Sequence, residues 1–208
     1  MARTIASPYG RISGRLGDVV AQNRGDKTVI YNYRPRKVKL SETQILHRNR
    51  VSEATSFVVS ALDYFKALNQ NQKSTRRDVV NSGIKKMKDI CDKDTVLNYN
   101  GFQIAQKGLA NVYNAEVAQT DNAITFEWED NSFDNLATPE DNVMPLIYNE
   151  DRHESIYMLD QCVRKDQKAE FRKPKHWAGD KLQLFISSRS KDFSKHSTLE
   201  YLGELTVA

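Results

Sequence analysis

The stretch Ile124-Thr125-Phe126-Glu127-Trp128-Glu129 decides the fold, because large apolar side chains alternate with polar ones. A period of two is typical of a β-strand that has one buried face and one exposed face. A second alternating set is formed by Leu182, Leu184 and Ile186. Two such strands predict a core that lies between two packed sheets.

Further candidate strands surround these two runs, and clusters of Asp, Asn, Gly and Pro separate them. We predict strands at residues 143–148, 155–159, 167–172, 181–187 and 198–202. Short strands at regular spacing with turns between them indicate an antiparallel sandwich. Residues 95–208 are therefore predicted to form an antiparallel β-sandwich of the Ig/fibronectin-III-like kind.

Residues 40–94 are predicted to form a helical pair. Ser41-Glu42-Thr43-Gln44 has the pattern of a capping box, in which Ser and Gln side chains satisfy free N–H groups at a helix start. Apolar residues at a spacing of three to four then predict a helix over about 42–70. This face comprises Ala54, Phe57, Val58, Ala61, Leu62, Phe65 and Leu68.

A second helix is predicted from about residue 75, packed antiparallel to the first. Its apolar stripe comprises Val79, Val80, Ile84, Met87, Ile90 and Cys91. The whole chain is thus predicted to have an α+β fold in three parts. These are a basic arm with a β-hairpin at 1–39, the helical pair at 40–94 and the sandwich at 95–208.

Residues 1–39 hold most of the positive charge. They contain nine basic and two acidic residues, a net of +7, while the whole chain carries +4, so the remaining residues sum to −3. Residues 1–18 are rich in Gly, Ser and Arg, which predicts an extended arm that gains order by contact. Two β-rich runs around Asn23-Arg24-Gly25-Asp26 predict a hairpin over 19–33.

Two N-terminal blocks, Ser13-Gly14-Arg15-Leu16-Gly17-Asp18-Val19-Val20 and Tyr33-Arg34-Pro35-Arg36-Lys37-Val38, resemble an uncharacterised domain-of-unknown-function family common in Bacteroidota. Further blocks follow in the family's order. They are Gln44 with Arg48, the run from Ile124 to Ser132, Leu146-Ile147-Tyr148-Asn149, and His176-Trp177-Ala178-Gly179-Asp180.

The resemblance covers nearly the whole chain, although residues 70–115 match in general character only. It implies the order arm, helices, sandwich, and it implies no established activity and no catalytic residues. The arm is also similar, more loosely, to the arms of some phage structural proteins.

The chain lacks the sequence patterns of common enzymes and cofactor sites. It has no G-x-S-x-G, P-loop or G-x-G-x-x-G motif in a suitable setting, and its cysteines, Cys91 and Cys162, are predicted to be free thiols. The histidines stand singly, without metal-ligand spacing, at His47, His153, His176 and His196. We therefore expect a non-enzymatic protein with no cofactor and no metal.

Asp130-Asn131-Ser132 with Asp134 could offer oxygen ligands to Ca²⁺, but the EF-hand pattern is absent. An Asx turn is the simpler interpretation of these residues. Glycan binding through an exposed Trp177 or Tyr148 is a further alternative. A core tryptophan followed by a turn explains Trp177-Ala178-Gly179-Asp180 more simply.

The basic arm is the segment whose chemistry points to a partner. Because arginine bonds carboxylates and phosphates alike, these residues fit protein subunits of a larger assembly or, with tyrosines stacked on bases, nucleic acid. The candidate binding residues are Arg3, Arg11, Arg15, Arg24, Tyr31, Tyr33, Arg34, Arg36 and Lys37.

The leading hypothesis is an assembly or interaction protein, for example a structural component of a phage particle, that docks through this arm. The alternative is a nucleic-acid-binding protein that uses the arm and the helical pair. No signal peptide or membrane span is recognisable, which predicts a cytoplasmic or virion protein without a membrane partner.

Overall fold

The chain divides into two compact units, residues 1–41 and 42–208. The computed structural model describes residues 2–4, 13–25, 27–34, 40–68, 99, 108–132, 134 and 136–207. For residues 2–4 and for Arg50 it describes the backbone alone.

The first unit contains one antiparallel sheet, which we call the N-terminal sheet. Its strands are β1 (Ala2–Thr4), β2 (Gly14–Leu16), β3 (Val19–Arg24) and β4 (Lys27–Asn32), in the order β1-β4-β3-β2. The predicted hairpin is confirmed, with Arg24 opposite Lys27 beside the turn. Within the predicted arm, β1 and β2 are extended and pair with the hairpin, while residues 1 and 5–12 lie outside the described residues.

The second unit begins with two consecutive helices, α1 (Glu42–Ser60) and α2 (Leu62–Leu68). Sequence analysis predicted one uninterrupted helix here. The Ser60 hydroxyl donates to the carbonyl of Phe57 at 2.8 Å, which competes with the helical backbone bonds and favours a bend at Ala61. The apolar face is confirmed, since Ala54, Phe57 and the other members of that face are buried or half-buried.

The second predicted helix, from residue 75, lies outside the described residues. The three-part division of the chain at 39 and 94 therefore stays a prediction. Within the described residues, none of the helices is long and apolar enough to cross a membrane.

Seven strands form the sandwich, and the predicted α+β fold with an antiparallel β-sandwich is confirmed. They are β5 (Tyr113–Gln119), β6 (Ala123–Glu129), β7 (Asn142–Asn149), β8 (Glu154–Tyr157), β9 (Lys168–Arg172), β10 (Lys181–Arg189) and β11 (Glu200–Thr206). One sheet has the order β11-β10-β7-β8 and the other β5-β6-β9. Strand β6 pairs with β9, and β7 pairs with β10. These pairs join the second sandwich strand to the fifth and the third to the sixth, which is the immunoglobulin-like arrangement. Strand β5 was not predicted from the sequence.

Two apolar clusters stabilise this unit. One lies between the sheets and contains the predicted core residues of β6 and β10, including Phe126, Trp128 and Leu184. The other lies on the opposite side of the β11-β10-β7-β8 sheet, where α1 and α2 pack through Phe57 and Phe65. This sheet is therefore covered on both sides, which explains why every residue of β7 is buried.

Candidate functional site

The register of the N-terminal sheet collects its charged residues on one side. Arg15 pairs with Val20, Val20 with Tyr31, and Arg24 with Lys27. Residues opposite each other in neighbouring strands share a face, and so do residues two apart along a strand. We call this side the basic face, formed by Arg15, Arg24, Lys27, Tyr31 and Tyr33.

Arg15 is held in place on the basic face. Its guanidinium lies 4.1 Å from the centre of the Tyr33 ring, a cation–π contact, and its Nε donates to the carbonyl of Gly17 at 2.8 Å. The carbonyl that accepts this bond belongs to Gly17, whose φ of 58° lies in the left-handed region that suits glycine. The remaining guanidinium surface is exposed to solvent.

The opposite side of the N-terminal sheet is mixed, with apolar residues toward β2 and the polar pair Asn23 and Thr28 beside the turn. Leu16 pairs with Val19, and Ala21 pairs with Ile30. Leu16 is 86% exposed, Val19 39% and Ile30 37%. We call Leu16, Val19, Ala21 and Ile30 the apolar face. Leu16 leaves most of its apolar side chain in contact with water.

The structure places the candidate binding residues as follows. Arg15, Arg24, Tyr31 and Tyr33 come together on the basic face, and Arg34 is exposed after the end of β4. The backbone of Arg3 lies in β1 opposite Val29. The others, Arg11, Arg36 and Lys37, lie outside the described residues.

Sequence analysis missed Lys27 as a site residue. The signal was present, because Lys27 stands four residues before Tyr31 in the same strand and opposite Arg24 across the turn. Strand alternation alone therefore places it on the basic face. Leu16, Val19 and Ile30 were missed because exposed apolar residues are recognised only once strand register shows that they share a side.

The sandwich buries the aromatic residues that a glycan site would need, so the glycan interpretation through Trp177 or Tyr148 was wrong. Both side chains are almost fully buried. The Trp177 indole donates to Glu154 Oε2 at 3.0 Å, and the Tyr148 hydroxyl lies 3.0 Å from His153 Nδ1. As predicted, Trp177 is a core residue at the start of a turn.

The polar residues around Trp128 also have structural partners. Ser132 donates its backbone N–H to Asp130 Oδ1 at 2.9 Å, so the predicted Asx turn is present. Asn131 is buried, accepts from Arg164 Nη1 and donates to the carbonyl of Asn111 at 2.8 Å. These residues hold a loop against the sandwich.

Arg164 is the centre of this arrangement and was not recognised from the sequence. It is fully buried, donates to the carbonyl of Ala110 at 3.0 Å and lies 3.7 Å from Asp141 Oδ2. Burial lowers the pKa of the guanidinium, and the nearby carboxylate of Asp141 opposes that change. No ordinary sequence signal separates such an arginine from a surface one.

Cysteine and histidine residues do not form a reactive group in the described part of the chain. Cys162 is a free, buried thiol, as predicted, and burial raises its pKa to about 12, which disfavours the nucleophilic thiolate. His196 is buried next to the carbonyl of Ser197. No group of three or more potential metal ligands occurs among the described residues. Cys91 lies outside them.

Comparison with known proteins places the chain in a family without an assigned activity. No curated protein and no solved structure is significantly similar to it. The model of one family, described as a family of unknown function (DUF6266), matches residues 12–203, which include most of the N-terminal sheet and nearly all of the sandwich. This agrees with the resemblance recognised in the sequence. The chain belongs to the DUF6266 family.

Proposed function

We propose that this chain is a non-enzymatic assembly protein that docks on protein subunits of a larger complex through its N-terminal sheet. The observation that carries the proposal is the pair of exposed faces on that sheet, one basic and one apolar. The helix-covered sandwich has its own buried core and would serve as the scaffold, while the N-terminal sheet would bind the neighbouring subunits.

A protein partner accounts for both faces. Apolar side chains such as Leu16 and Ile30 stabilise a complex when a partner removes them from water, at about 25 cal/mol per Å². Arginines of the basic face would pair with carboxylates and fix the orientation of docking. A nucleic acid would bind the basic face and leave the apolar face exposed to water.

The setting we propose is a multi-subunit particle, such as a phage virion assembled in the cytoplasm of a Bacteroidota host. Support comes from the loose similarity of the Gly- and Arg-rich arm to those of phage structural proteins. The charge separation between residues 1–39 and the remaining chain is also suited to docking between subunits.

A second candidate function is binding of single-stranded nucleic acid. The observation that favours it is the exposure of two aromatic rings on the basic face, with Tyr31 42% and Tyr33 40% exposed. Such rings stack on unpaired bases while nearby arginines neutralise phosphates. This candidate predicts binding that weakens steeply as salt is added.

The test is the mass of the native complex that contains the tagged full chain, expressed in its source organism. We expect the wild-type chain to migrate in a complex much larger than its own 23.8 kDa, and nuclease treatment to leave that complex intact. The double variant Leu16→Ser/Ile30→Ser should leave the complex, because it removes two members of the apolar face.

Val59→Ser is the matched control, since Val59 is an exposed apolar residue on α1, in the other unit. It should remain in the complex. A wild-type chain that migrates as a monomer would overturn the proposal, and a complex that nuclease dissolves would favour nucleic acid instead.

A further inference from the structure

The outer side of the β5-β6-β9 sheet carries a group of exposed carboxylates. Glu116 of β5 lies directly opposite Glu127 of β6, and Glu129 follows two residues later on the same side. Glu170 of β9 pairs with Thr125 and so shares this side. We call Glu116, Glu127, Glu129 and Glu170 the acidic face; all four are exposed.

The alternate residues confirm which side this is. Val117, Phe126 and Ala169 belong to the cluster between the sheets. They are paired with one another in register, so the carboxylates at neighbouring positions point away from the core. The acidic face therefore lies on the outer side of the sandwich, which it shares with the exposed Lys168 and Arg172 of β9.

The acidic face is electrostatically unfavourable for an isolated sandwich. Like charges directly opposite each other on neighbouring strands are destabilising, as with Glu116 and Glu127. Lys168 lies 3.9 Å from Glu127, but both side chains are more than half exposed, and such pairs contribute little. Lys168 and Arg172 offset two of the four carboxylates, and a cationic partner surface would compensate the remaining two.

We propose that the basic face of one copy docks on the acidic face of a second copy, head to tail. This inference rests on the proposed function and names the partner of the basic face; the apolar face is not involved in it. The two faces carry opposite charge on β-sheet surfaces of similar strand spacing, so they are complementary. It agrees with the net charges of +7 for residues 1–39 and −3 for the remainder.

The geometry of such a contact determines what it builds. The basic face belongs to the first unit and the acidic face to the second, so each copy carries one of each kind. Such a heterologous contact continues from copy to copy and forms a ring if the rotation closes, or a filament if it does not. An assembly protein could use either form.

The experiment is a charge exchange between the two faces, measured by sedimentation of the full chain over a range of concentrations. The first variant is Arg24→Glu/Lys27→Glu, and the second is Glu127→Lys/Glu129→Lys. The wild type should self-associate, less so at high salt, and each variant alone should bind itself about tenfold more weakly or worse, because like charges then meet.

Mixing the two variants in equal amounts should restore association, since each offers the face that the other now complements. Lys165→Glu/Lys175→Glu is the matched control, because it changes the charge equally at exposed positions of the second unit and should associate like wild type. Circular dichroism of each variant verifies that it is folded.

Three results would overturn the inference. The first is a wild-type chain that stays monomeric. If the Leu16→Ser/Ile30→Ser variant is nevertheless lost from the native complex, the proposed function holds and only the identification of a second copy as the partner is wrong. The second is self-association that neither charge variant weakens. The third is a mixture that stays monomeric, which would locate the charge contact within one chain or with another partner.

Discussion

The N-terminal sheet and the β11-β10-β7-β8 sheet have the same number of strands but opposite surroundings. The sandwich sheet is covered by helices on one side and by the second sheet on the other, and β7 is buried throughout. The N-terminal sheet exposes Leu16 on one side and Arg15 on the other. Apolar burial, the main stabilising contribution to folding, is thus concentrated in the sandwich. The N-terminal sheet contributes much less buried apolar surface, and we propose that a partner covers it.

The largest effect should come from the cluster beneath the helices. Phe57 is fully buried, and its ring centre lies 4.8 Å from that of Tyr148 and 5.2 Å from that of Phe185. We expect Phe57→Ala to lower the free energy of unfolding by about 3–5 kcal/mol, because it leaves a cavity. Urea denaturation measures this.

Val59→Ala serves as the control on the same helix and should change the free energy of unfolding by about 0.5 kcal/mol or less, since Val59 is exposed. Equal effects of the two substitutions would mean that α1 does not stabilise the sandwich as described.

A slightly smaller loss is expected at Arg164. Arg164→Met removes the cation that compensates Asp141 and leaves the carbonyl of Ala110 without its donor. We expect a loss of about 3 kcal/mol, as for other broken buried pairs. Arg172→Met, at an exposed position of β9, is the control. A stable Arg164→Met variant would show that the buried network does not hold this loop.

The apolar face should behave in the opposite way to the core. For Leu16→Ser/Ile30→Ser we expect a loss of about 1 kcal/mol in the free energy of unfolding of the isolated chain, well below that of Phe57→Ala, because Leu16 is 86% exposed and Ile30 is 37% exposed. Binding to the native partner should weaken about tenfold or more. A variant that is strongly destabilised yet still binds its partner normally would show that the apolar face stabilises the fold and does not bind the partner.

The sequence predicts the fold well where a pattern is repeated. The alternation in β6 and β10 and the spacing on α1 are unambiguous because burial on one side imposes a period. Strands β1 and β2 are only three residues long, and β5 contains Asn, Ala and Glu, which have weak strand propensity. These strands form because a neighbour offers backbone partners, which a single sequence does not show.

The candidate site is predictable only in part, because a single sequence does not show which strands pair. Residue type identified Arg15, Arg24 and the tyrosines, but their common face follows from register. The acidic face required the pairing of Glu116 with Glu127, which follows from the register of β5 with β6, and β5 was not predicted. Arg164 was missed because a buried arginine is recognised by its partners and not by its neighbours in the chain.

The smallest effect concerns a loop of the sandwich. The hydroxyls of Ser190 and Ser194 donate to Asp192 and lower the pKa of its carboxyl from 3.8 to about 2. Because the folded pKa lies below the unfolded one, this contribution to stability is present above about pH 4 and is lost as the pH falls toward about 2. An NMR titration of the carboxyl measures the midpoint, which Ser190→Ala should raise. A wild-type midpoint at 3.8 would contradict the loop geometry.

Hydrogen exchange of the full chain, followed by mass spectrometry at low and high protein concentration, tests the central contrast most directly. We predict that peptides from β7 and β10 are protected at both concentrations. Peptides from β2 to β4 should exchange quickly in the dilute monomer and become protected when the chain associates. Equal protection of both regions in the monomer would contradict the account, because the N-terminal sheet would then be a self-sufficient domain and not a docking surface.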